Sequence, residues 1–479
     1  MSKISKSSKL FMNTFLFAVN AIGSRLMVFF LVPLYAHYMS NTDYGNADLL
    51  YSSVTILISL LTLKVASAVL RFSNNKSEND LVLTNAFSVV GLSSLVVLTG
   101  SLIVIPVMNL SRYYFFLPIL FFCISCKDII AQFCKSTGRN KVYAIDGVVS
   151  SGSLLLFSFL FLAVIDLNVY GYLIAHTISS VVSIVLLMVF GKVRVSFQGY
   201  SLNNNTMREM LRYSFPLVPN SLSWWIIQMS DRYMVKWFIG PASNGIYTMS
   251  YKIPSMVGVV ADIFIQAWII SAMDEYDDER DYSSFELVYG AFEAVLVVIS
   301  ALLIAFNRPI GSVIYGDGFS QATLYAPFLI FALLFNNIQA FYSAFYSAAK
   351  ETKSLLYSSI TAAIINIVIN LILIPTLGIY GAVIGTCVSY IVLALIRIAG
   401  SKKYAHFNIP YLKLVLNSIL LLLQAALEVF ISSMSIRVCS HIIICFVLVG
   451  MNIKRIGSLI KLMRPLLNNF ISRRKRQKA

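Results

Sequence analysis

The sequence predicts an all-α polytopic membrane protein with about fourteen transmembrane helices, in two pseudo-symmetric six-helix lobes followed by two C-terminal helices. Hydrophobic residues make up 58% of the 479 residues and charged residues only 12%, a more apolar composition than soluble proteins have. Apolar runs of about 20 residues or more, long enough to cross the hydrocarbon core of a bilayer, recur along the chain. Short motifs also repeat between the two halves. Together these features indicate a transporter-like membrane fold.

Hydropathy places the spans in order along the chain. Three lysines precede the first apolar run and resemble the start of a signal peptide. That run is too long for a signal peptide and contains Arg25, so we expect an uncleaved first helix. The predicted spans are 10–36, 47–70, 82–108, 114–134, 143–166, 168–190, 213–240, 244–272, 284–306, 323–347, 354–376, 378–396, 411–433 and 438–453.

The distribution of basic residues predicts the orientation of these spans. The chain has 37 Lys and Arg against 21 Asp and Glu. With the N-terminus inside, the connectors on the cytoplasmic side and the two tails hold 27 of the 37 basic residues, and the outer connectors hold only three. Because cytoplasmic loops of membrane proteins are enriched in Lys and Arg, both termini are expected in the cytoplasm.

An internal repeat predicts the domain organisation. Gly45 and Tyr51 match Gly245 and Tyr251 at an offset of 200 residues, and Tyr170-Gly171 matches Tyr380-Gly381 at an offset of 210. The predicted domains are an N-terminal lobe (1–190), a cytoplasmic linker (191–212), a C-terminal lobe (213–400) and a segment with two further helices and a basic tail (401–479). No connector is long enough to hold a separate folded domain, which argues against an enzyme.

Basic residues inside the first lobe are the first candidate site. Arg25, Lys64 and Lys127 lie within predicted spans, where a charge is costly and usually serves a function or has a partner. Phosphate oxygens are suitable ligands for such groups. Structural ion pairs, or side chains that reach out to the interface, are the alternative interpretation, and Asp128 is an adjacent partner for Lys127.

The second lobe contributes a further set of polar residues. Asp231, Arg232 and Lys252 are predicted at similar depth in one helical hairpin, as substrate contacts, as a gate or as structural charges. Asp262 and Glu293 are candidates for ion coupling, since an apolar helix favours the neutral form of a carboxyl group. Asn366 and Asn370 share a helix face and are predicted either to contact sugars or to join helices.

Other chemistry has little support in the sequence. Cys123 and Cys126 form a CxxC motif without a second ligand pair, and no HExxH or Walker A motif is present, so no metal, cofactor or bound ATP is expected. The basic run Arg473–Arg476 is interpreted as an anchor to anionic lipid. No nucleic-acid partner is expected.

Several motifs resemble a known family. Tyr213-Ser-Phe-Pro216, Pro219-Asn-Ser221, Ser230-Asp-Arg-Tyr233, Asn244-Gly-Ile-Tyr247 and Tyr251-Lys-Ile-Pro254 are similar to the seventh and eighth helices of the polysaccharide-transport flippases, which include the Wzx-like O-antigen flippases of the multidrug/oligosaccharidyl-lipid/polysaccharide exporter superfamily. Pro33-Leu-Tyr35 and Asp43-Tyr-Gly45 resemble the first hairpin of the same family.

This resemblance implies a function and a location. The expected substrate is an undecaprenyl-pyrophosphate-linked oligosaccharide, the repeat unit of O-antigen or a related surface polysaccharide, flipped by alternating access across the bacterial cytoplasmic (inner) membrane. Expected partners are membrane lipids, the polysaccharide polymerase and the chain-length machinery. A cation-coupled multidrug exporter and a non-transport scaffold for polysaccharide assembly are the alternatives.

Overall fold

The computed structural model describes residues 23, 27, 29–73, 79–195, 205–274, 283–349, 351–404 and 410–476. Every regular element in these ranges is a helix, which confirms the predicted all-α fold. The chain divides into two compact units, Met1–Met249 with Ile314–Ser320, and Ser250–Val313 with Gln321–Ala479. The predicted lobe boundaries at residues 190 and 213 stay a prediction.

The first unit is built from helices that run in chain order. They are α1 (29–38), α2 (Asn41–Leu61), α3 (Val65–Phe72), α4 (Asn79–Val107), α5 (Phe116–Ser136), α6 (Asn140–Ser158), α7 (Asn168–Phe190), α8 (Asn205–Ser214), α9 (Val218–Phe238) and all but the last residue of α10 (Pro241–Ser250).

The second unit contains the remaining helices, apart from Ile314 at the end of α13. They are α11 (Ser255–Asp274), α12 (Ser283–Ala305), α13 (Asn307–Ile314), α14 (Ala322–Ala348), α15 (Thr352–Leu377), α16 (Ile379–Ser401), α17 (Tyr411–Phe430) and α18 (Met434–Arg476).

Length and apolar composition identify the helices that can cross a membrane. Within the described ranges, ten candidate spans meet both criteria, and the bent pair α2–α3 makes an eleventh. These eleven correspond to the predicted spans 2 to 6 and 9 to 14. Predicted span 1 lies mostly outside the described residues. Helix α9, which corresponds to span 7, contains Asp231, Arg232 and Lys236, which lower its hydropathy.

Two predicted spans are broken rather than continuous. The span 47–70 divides into α2 and α3, which meet at a bend of 58°. The span 244–272 divides into α10 and α11, with a turn over residues 251–254 between them. Pro254 provides a reason for the second break because its nitrogen cannot donate a helical hydrogen bond. Ser40 caps the start of α2 by accepting a hydrogen bond from the backbone nitrogen of Asp43 at 3.1 Å.

Helical structure also extends into predicted connectors and beyond several predicted spans. The linker 191–212 contains most of the amphipathic helix α8, and α13 forms in a predicted connector. Helix α16 continues to Ser401, beyond the predicted end at residue 396, and therefore includes Arg397. Helix α18 is a single element of 43 residues, far longer than the predicted span 438–453.

Each unit has its own apolar core. In the first unit, buried side chains of α3, α4 and α5 pack together with Met210 of α8. In the second unit, Phe264 and Trp268 of α11 stack on Phe341 of α14. Helix α4 exposes a row of large apolar side chains, namely Leu92, Leu95, Val96, Leu102 and Ile103. Such a surface suits contact with lipid.

Candidate functional site

The break between α2 and α3 places Lys64 at the start of a helix inside a membrane span. Leu63 and Lys64 have φ values of 51° and 57°, a left-handed conformation that is uncommon for residues other than glycine. Such strain is kept where the surrounding structure enforces it, often at functional sites. Lys64 also adds a positive charge close to the first backbone N–H groups of α3, which favour an anion.

Helix α5 places a second lysine and a carboxylate near this break. Among the described residues, the cations whose charges act on Asp128 are Lys127 and Lys64. Asp128 is exposed to water although α5 packs against α2, α3, α4, α6 and α7. At about 100° per residue, Asp128 lies about 180° around the helix from Ile119, which belongs to the exposed apolar face of α5. Its carboxylate therefore faces a hydrated interior of the first unit rather than the lipid side.

A second carboxylate near Lys127 was not predicted. Asp146 of α6 is buried and accepts a hydrogen bond of 2.5 Å from the Ser183 hydroxyl. The amine of Lys127 donates to the Ser150 hydroxyl at 3.4 Å, and its charge acts on Asp146 as well as on Asp128. Two lysines and two aspartates thus form a nearly neutral cluster, which we call the lysine cluster (Lys64, Lys127, Asp128, Asp146).

Aromatic rings lie beside the lysine cluster. The Tyr51 ring of α2 is 4.6 Å from the His176 ring of α7, and the Tyr172 ring is 4.5 Å from it. Tyr35 of α1 packs on Tyr172 at 5.0 Å. The interior of the first unit therefore offers charged groups, hydroxyls and aromatic faces, a combination suited to a polar ligand with an apolar part.

A separate charged cluster joins α2, α9 and α10. The Arg232 guanidinium donates to the Asp48 carboxylate at 2.6 Å, and both side chains are 11% exposed. Thr248 donates to the same carboxylate at 3.2 Å. Tyr247 donates a short hydrogen bond to Asp231. We call these five residues the crossing cluster. Asp48 was not predicted from the sequence because it stands at the start of a predicted span, where an acid can reach water.

The repeat-related glycines of α2 and α10 meet directly. A Cβ atom on Gly245 would lie 2.0 Å from the carbonyl oxygen of Asn41, and one on Gly45 would lie 2.2 Å from that of Pro241. The Asn244 amide donates to the Gly45 carbonyl at 2.9 Å. Only glycine permits this backbone approach. The offset of 200 residues found in the sequence thus pairs Gly45 with Gly245 and Asp48 with Thr248.

Replacing Gly245 with alanine is expected to lower the melting temperature of the purified protein in detergent. The added methyl group would overlap a backbone oxygen of α2, and overpacking of this kind costs about 1–3 kcal/mol. Gly91→Ala in α4 is the matched control, since no atom lies within 4 Å of its added Cβ. Identical thermal unfolding of Gly245→Ala and the wild-type protein would contradict this close approach.

The predicted amide site lies inside the second unit. Asn366 and Asn370 are fully buried in α15, and the Asn370 amide donates to the Asn366 oxygen at 3.1 Å. Arg397 of α16 is also buried and donates to hydroxyls of Ser358 and Ser359 at 3.2 and 3.0 Å. The Arg397 contacts join α15 to α16, whereas the hydrogen bond between the two asparagines lies within α15, and their role as sugar contacts or as helix-joining groups stays a prediction.

The candidate residues for ion coupling have different surroundings. Glu293 of α12 is fully buried and pairs with Arg455 of α18 at 3.0 Å, while Asn417 donates to it at 3.0 Å. Asp262 lies half-buried in α11. The Glu293 contacts attach α17 and α18 to the second unit, as does Glu428, which has Arg437 and Arg308 at 3.5 and 3.6 Å.

Two further predicted residues are Arg25 and Lys252. Arg25 lies outside the described residues. Lys252 lies in the turn between α10 and α11, and its pairing with Asp231 stays a prediction. Across the described ranges, no group of three or more His, Cys, Asp or Glu side chains could hold a metal ion.

Comparisons with known proteins identify the family and the fold. A family model described as "Polysaccharide biosynthesis protein" matches residues 10–272, and one described as "MatE" matches residues 280–372. A search of curated proteins finds no match.

Solved structures of two transporter types resemble the chain. The "Lipid II flippase MurJ, inward closed conformation" has a TM-score of 0.69 at 17% identity, covering 95% of this chain and all of the other. An inward-facing "multidrug resistance MATE family transporter of the MOP superfamily" has a TM-score of 0.64 at 16% identity, covering 82% and 94%. Its outward-facing counterpart has a TM-score of 0.57 at 17% identity, covering 82% and 95%.

The match over more than half of the sequence and the shared all-helical fold agree with the resemblance found in the motifs. The chain belongs to the family whose model is described as "Polysaccharide biosynthesis protein", and it shares its fold with these solved transporters.

Proposed function

We propose that this protein flips an undecaprenyl-pyrophosphate-linked oligosaccharide, the repeat unit of O-antigen or a related surface polysaccharide, from the cytoplasmic to the outer leaflet of a bacterial inner membrane. The observation that carries the proposal is the lysine cluster, which brings cations and water-accessible polar groups into the interior of a set of membrane-spanning helices. A sugar-pyrophosphate head cannot cross hydrocarbon unaided, because its polar groups would lose their hydration. The prenyl tail can stay in the lipid throughout.

The proposed binding residues divide between the pyrophosphate and the sugars. Lys64, Lys127 and Arg25 hold the pyrophosphate by charge-assisted hydrogen bonds, while Arg232 and Lys252 supply further positive charge. Asn366 and Asn370 contact sugar hydroxyls. Asp262 and Glu293 are proposed for ion coupling. The protein changes no covalent bond of its substrate, so it acts as a transporter rather than an enzyme.

The crossing cluster is proposed as the gate of alternating access. Asp231 and Arg232 are neighbours on α9, and the Asp48 partner of Arg232 stands 184 residues away on α2. Pairing in one conformation and hydration in another would give the two discrete arrangements that a switch requires.

Both termini are proposed to be cytoplasmic. Membrane lipids surround the protein, and the polymerase and chain-length machinery consume its product.

A cation-coupled multidrug exporter is the second candidate function. The match to the MatE model over residues 280–372 and the likeness to multidrug transporters favour it. Its cationic substrates would need an acidic interior, whereas Lys64 and Lys127 balance the two aspartates beside them in the first unit. A membrane scaffold without transport is the third candidate.

Lys64→Ala tests the proposed phosphate contact. We expect surface polysaccharide to fall about tenfold or more, since a hydrogen bond to a charged group contributes about 1.5–3 kcal/mol. Lys64→Arg should keep part of the activity. Quantitative immunoblots of surface polymer, normalised to protein in the membrane, measure the effect.

Lys236→Ala is the matched control for this experiment. Lys236 lies near the end of α9 in the same unit and donates to the Tyr114 hydroxyl at 3.4 Å. Its loss should leave the amount of surface polymer close to wild type. Normal polymer from a well-expressed Lys64→Ala protein would remove Lys64 from the site and weaken the flippase assignment.

A further inference from the structure

The two aspartates of the lysine cluster differ in how firmly they are held. Asp146 is 4% exposed and accepts the Ser183 hydrogen bond, so its position is fixed within α6 and α7. Asp128 is exposed to water, and no ion pair within 4.0 Å or hydrogen bond involves its carboxylate among the described residues. Asp128 therefore experiences the positive charges of Lys64 and Lys127 without a hydrogen bond or an ion pair to either lysine.

We propose that Asp128 is an internal counter-anion, which balances Lys64 and Lys127 while the site is empty, and which a phosphate group of the substrate displaces. The inference rests on the proposed function, since it names how that site accepts its anion. A displaced carboxylate no longer shares the lysine charges and stands next to a new negative charge. Both changes favour its neutral form, so Asp128 takes up one proton from water as the phosphate binds.

This exchange solves an electrostatic problem of the site. Unpaired lysines inside a membrane protein are costly, and a very tight phosphate site would not release its ligand. Asp128 keeps the empty site nearly neutral and competes with the phosphate, so that binding is moderate and depends on pH. The proton then leaves with release of the head group, when the lysines again attract the carboxylate.

The other titratable and charged groups near Asp128 come from the elements packed on α5, of which α3 carries Arg71, whose guanidinium lies over the Tyr213 ring at 4.7 Å. Helix α2 contributes Tyr51, the α2–α3 break contributes Lys64, and α5 itself contributes Lys127. Helix α4 carries Asp80 in its first turn as its one charged residue. Helix α6 contributes Tyr143 and Asp146, and α7 contributes His176 beside Tyr51. Among these groups, Asp128 is the exposed carboxylate under both lysine charges.

The test uses the full-length protein in detergent and inorganic pyrophosphate as the probe. Isothermal titration calorimetry at about pH 6 and about pH 8, in buffers of different ionisation enthalpy, gives the affinity and the number of protons taken up. Pyrophosphate itself titrates, so the contribution of Asp128 is the difference between the wild-type protein and Asp128→Asn. Asp166→Asn is the matched control, because Asp166 is an exposed acid of the α6–α7 connector with φ of 59°, a conformation that asparagine also tolerates.

We expect Asp128→Asn to bind pyrophosphate about tenfold more tightly than the wild-type protein at about pH 8, because the neutral amide no longer competes with the phosphate for the two lysines. It should also take up fewer protons on binding, while Asp166→Asn behaves as wild type. Asp128→Ser, which removes the same charge, replaces Asp128→Asn should the latter not purify as a folded protein.

Two other outcomes are distinguishable. Equal affinity and equal proton uptake in the wild-type and charge-removed proteins would overturn the counter-anion role and leave the flippase proposal standing. Absence of pyrophosphate binding in every variant, including the wild type, would contradict the proposed phosphate site itself and the counter-anion with it.

Discussion

A protein with Arg25→Ala is expected to reach the membrane in normal amount and to leave no detectable surface polysaccharide. Arg25 lies within the first predicted span, and a guanidinium binds phosphate oxygens through two parallel hydrogen bonds. Alanine removes both the positive charge and the pair of parallel hydrogen-bond donors. Arg25→Lys keeps the charge alone and should recover part of the activity. Cell-surface polymer and membrane-inserted protein are measured in the same cells.

The control for Arg25→Ala is a measurement of whether the variant protein is folded. Size-exclusion chromatography in detergent separates a folded but inactive variant from a misfolded one. Normal polymer from well-expressed Arg25→Ala protein would exclude Arg25 from the substrate site. Aggregated protein with Arg25→Ala, together with full activity of Arg25→Lys, would assign the residue to a structural ion pair.

Breaking the Asp48–Arg232 pair is expected to have the largest effect on stability. The two groups lie 2.6 Å apart with side chains only 11% exposed, and removing one partner of a buried pair costs about 3–5 kcal/mol because the other charge is left without compensation. Asp48→Asn and Arg232→Gln should each lower the melting temperature strongly. The double variant should be less destabilised than the sum of the two single variants.

A double-mutant cycle in detergent measures this coupling. We expect a coupling energy of about 1–3 kcal/mol for groups in direct contact. Asp43→Asn is a suitable control, since Asp43 is a half-buried acid in the first turn of α2 that accepts a hydrogen bond from Ser40 at 2.7 Å. Strictly additive effects of Asp48→Asn and Arg232→Gln would show that the pair does not act as a unit.

The sequence was sufficient to predict most of the membrane-spanning helices, but not the short helices or the breaks within two spans. Apolar runs of bilayer length have few structural options, because every backbone polar group must be satisfied inside the membrane. The bend at Leu63–Lys64 could not be predicted, since neither residue is a glycine or proline and both adopt a left-handed conformation that such residues rarely take. The break before α11 had a local signal in Pro254.

Partners of the charged residues were harder to predict than the residues themselves. Arg232 was predicted as a site residue, but its partner Asp48 is far away in sequence, and only the fold brings α2 to α9. Asp146 was missed because it lies near the end of a predicted span, where hydropathy cannot distinguish an interfacial acid from a buried one. The repeat aligned Gly45 with Gly245, although it gave no reason to expect their contact.

Translocation of a lipid-linked oligosaccharide in proteoliposomes tests the central claim most directly. The purified protein is reconstituted with an undecaprenyl-pyrophosphate-linked oligosaccharide that carries a fluorescent label on its sugar, and a membrane-impermeant quencher is added outside. We predict that label initially in the inner leaflet becomes quenchable with the wild-type protein and stays protected in protein-free vesicles and with Arg25→Ala. Equal protection of the inner-leaflet label with and without the wild-type protein, in vesicles that do transport a cationic amphiphilic dye, would contradict the flippase and favour the multidrug exporter.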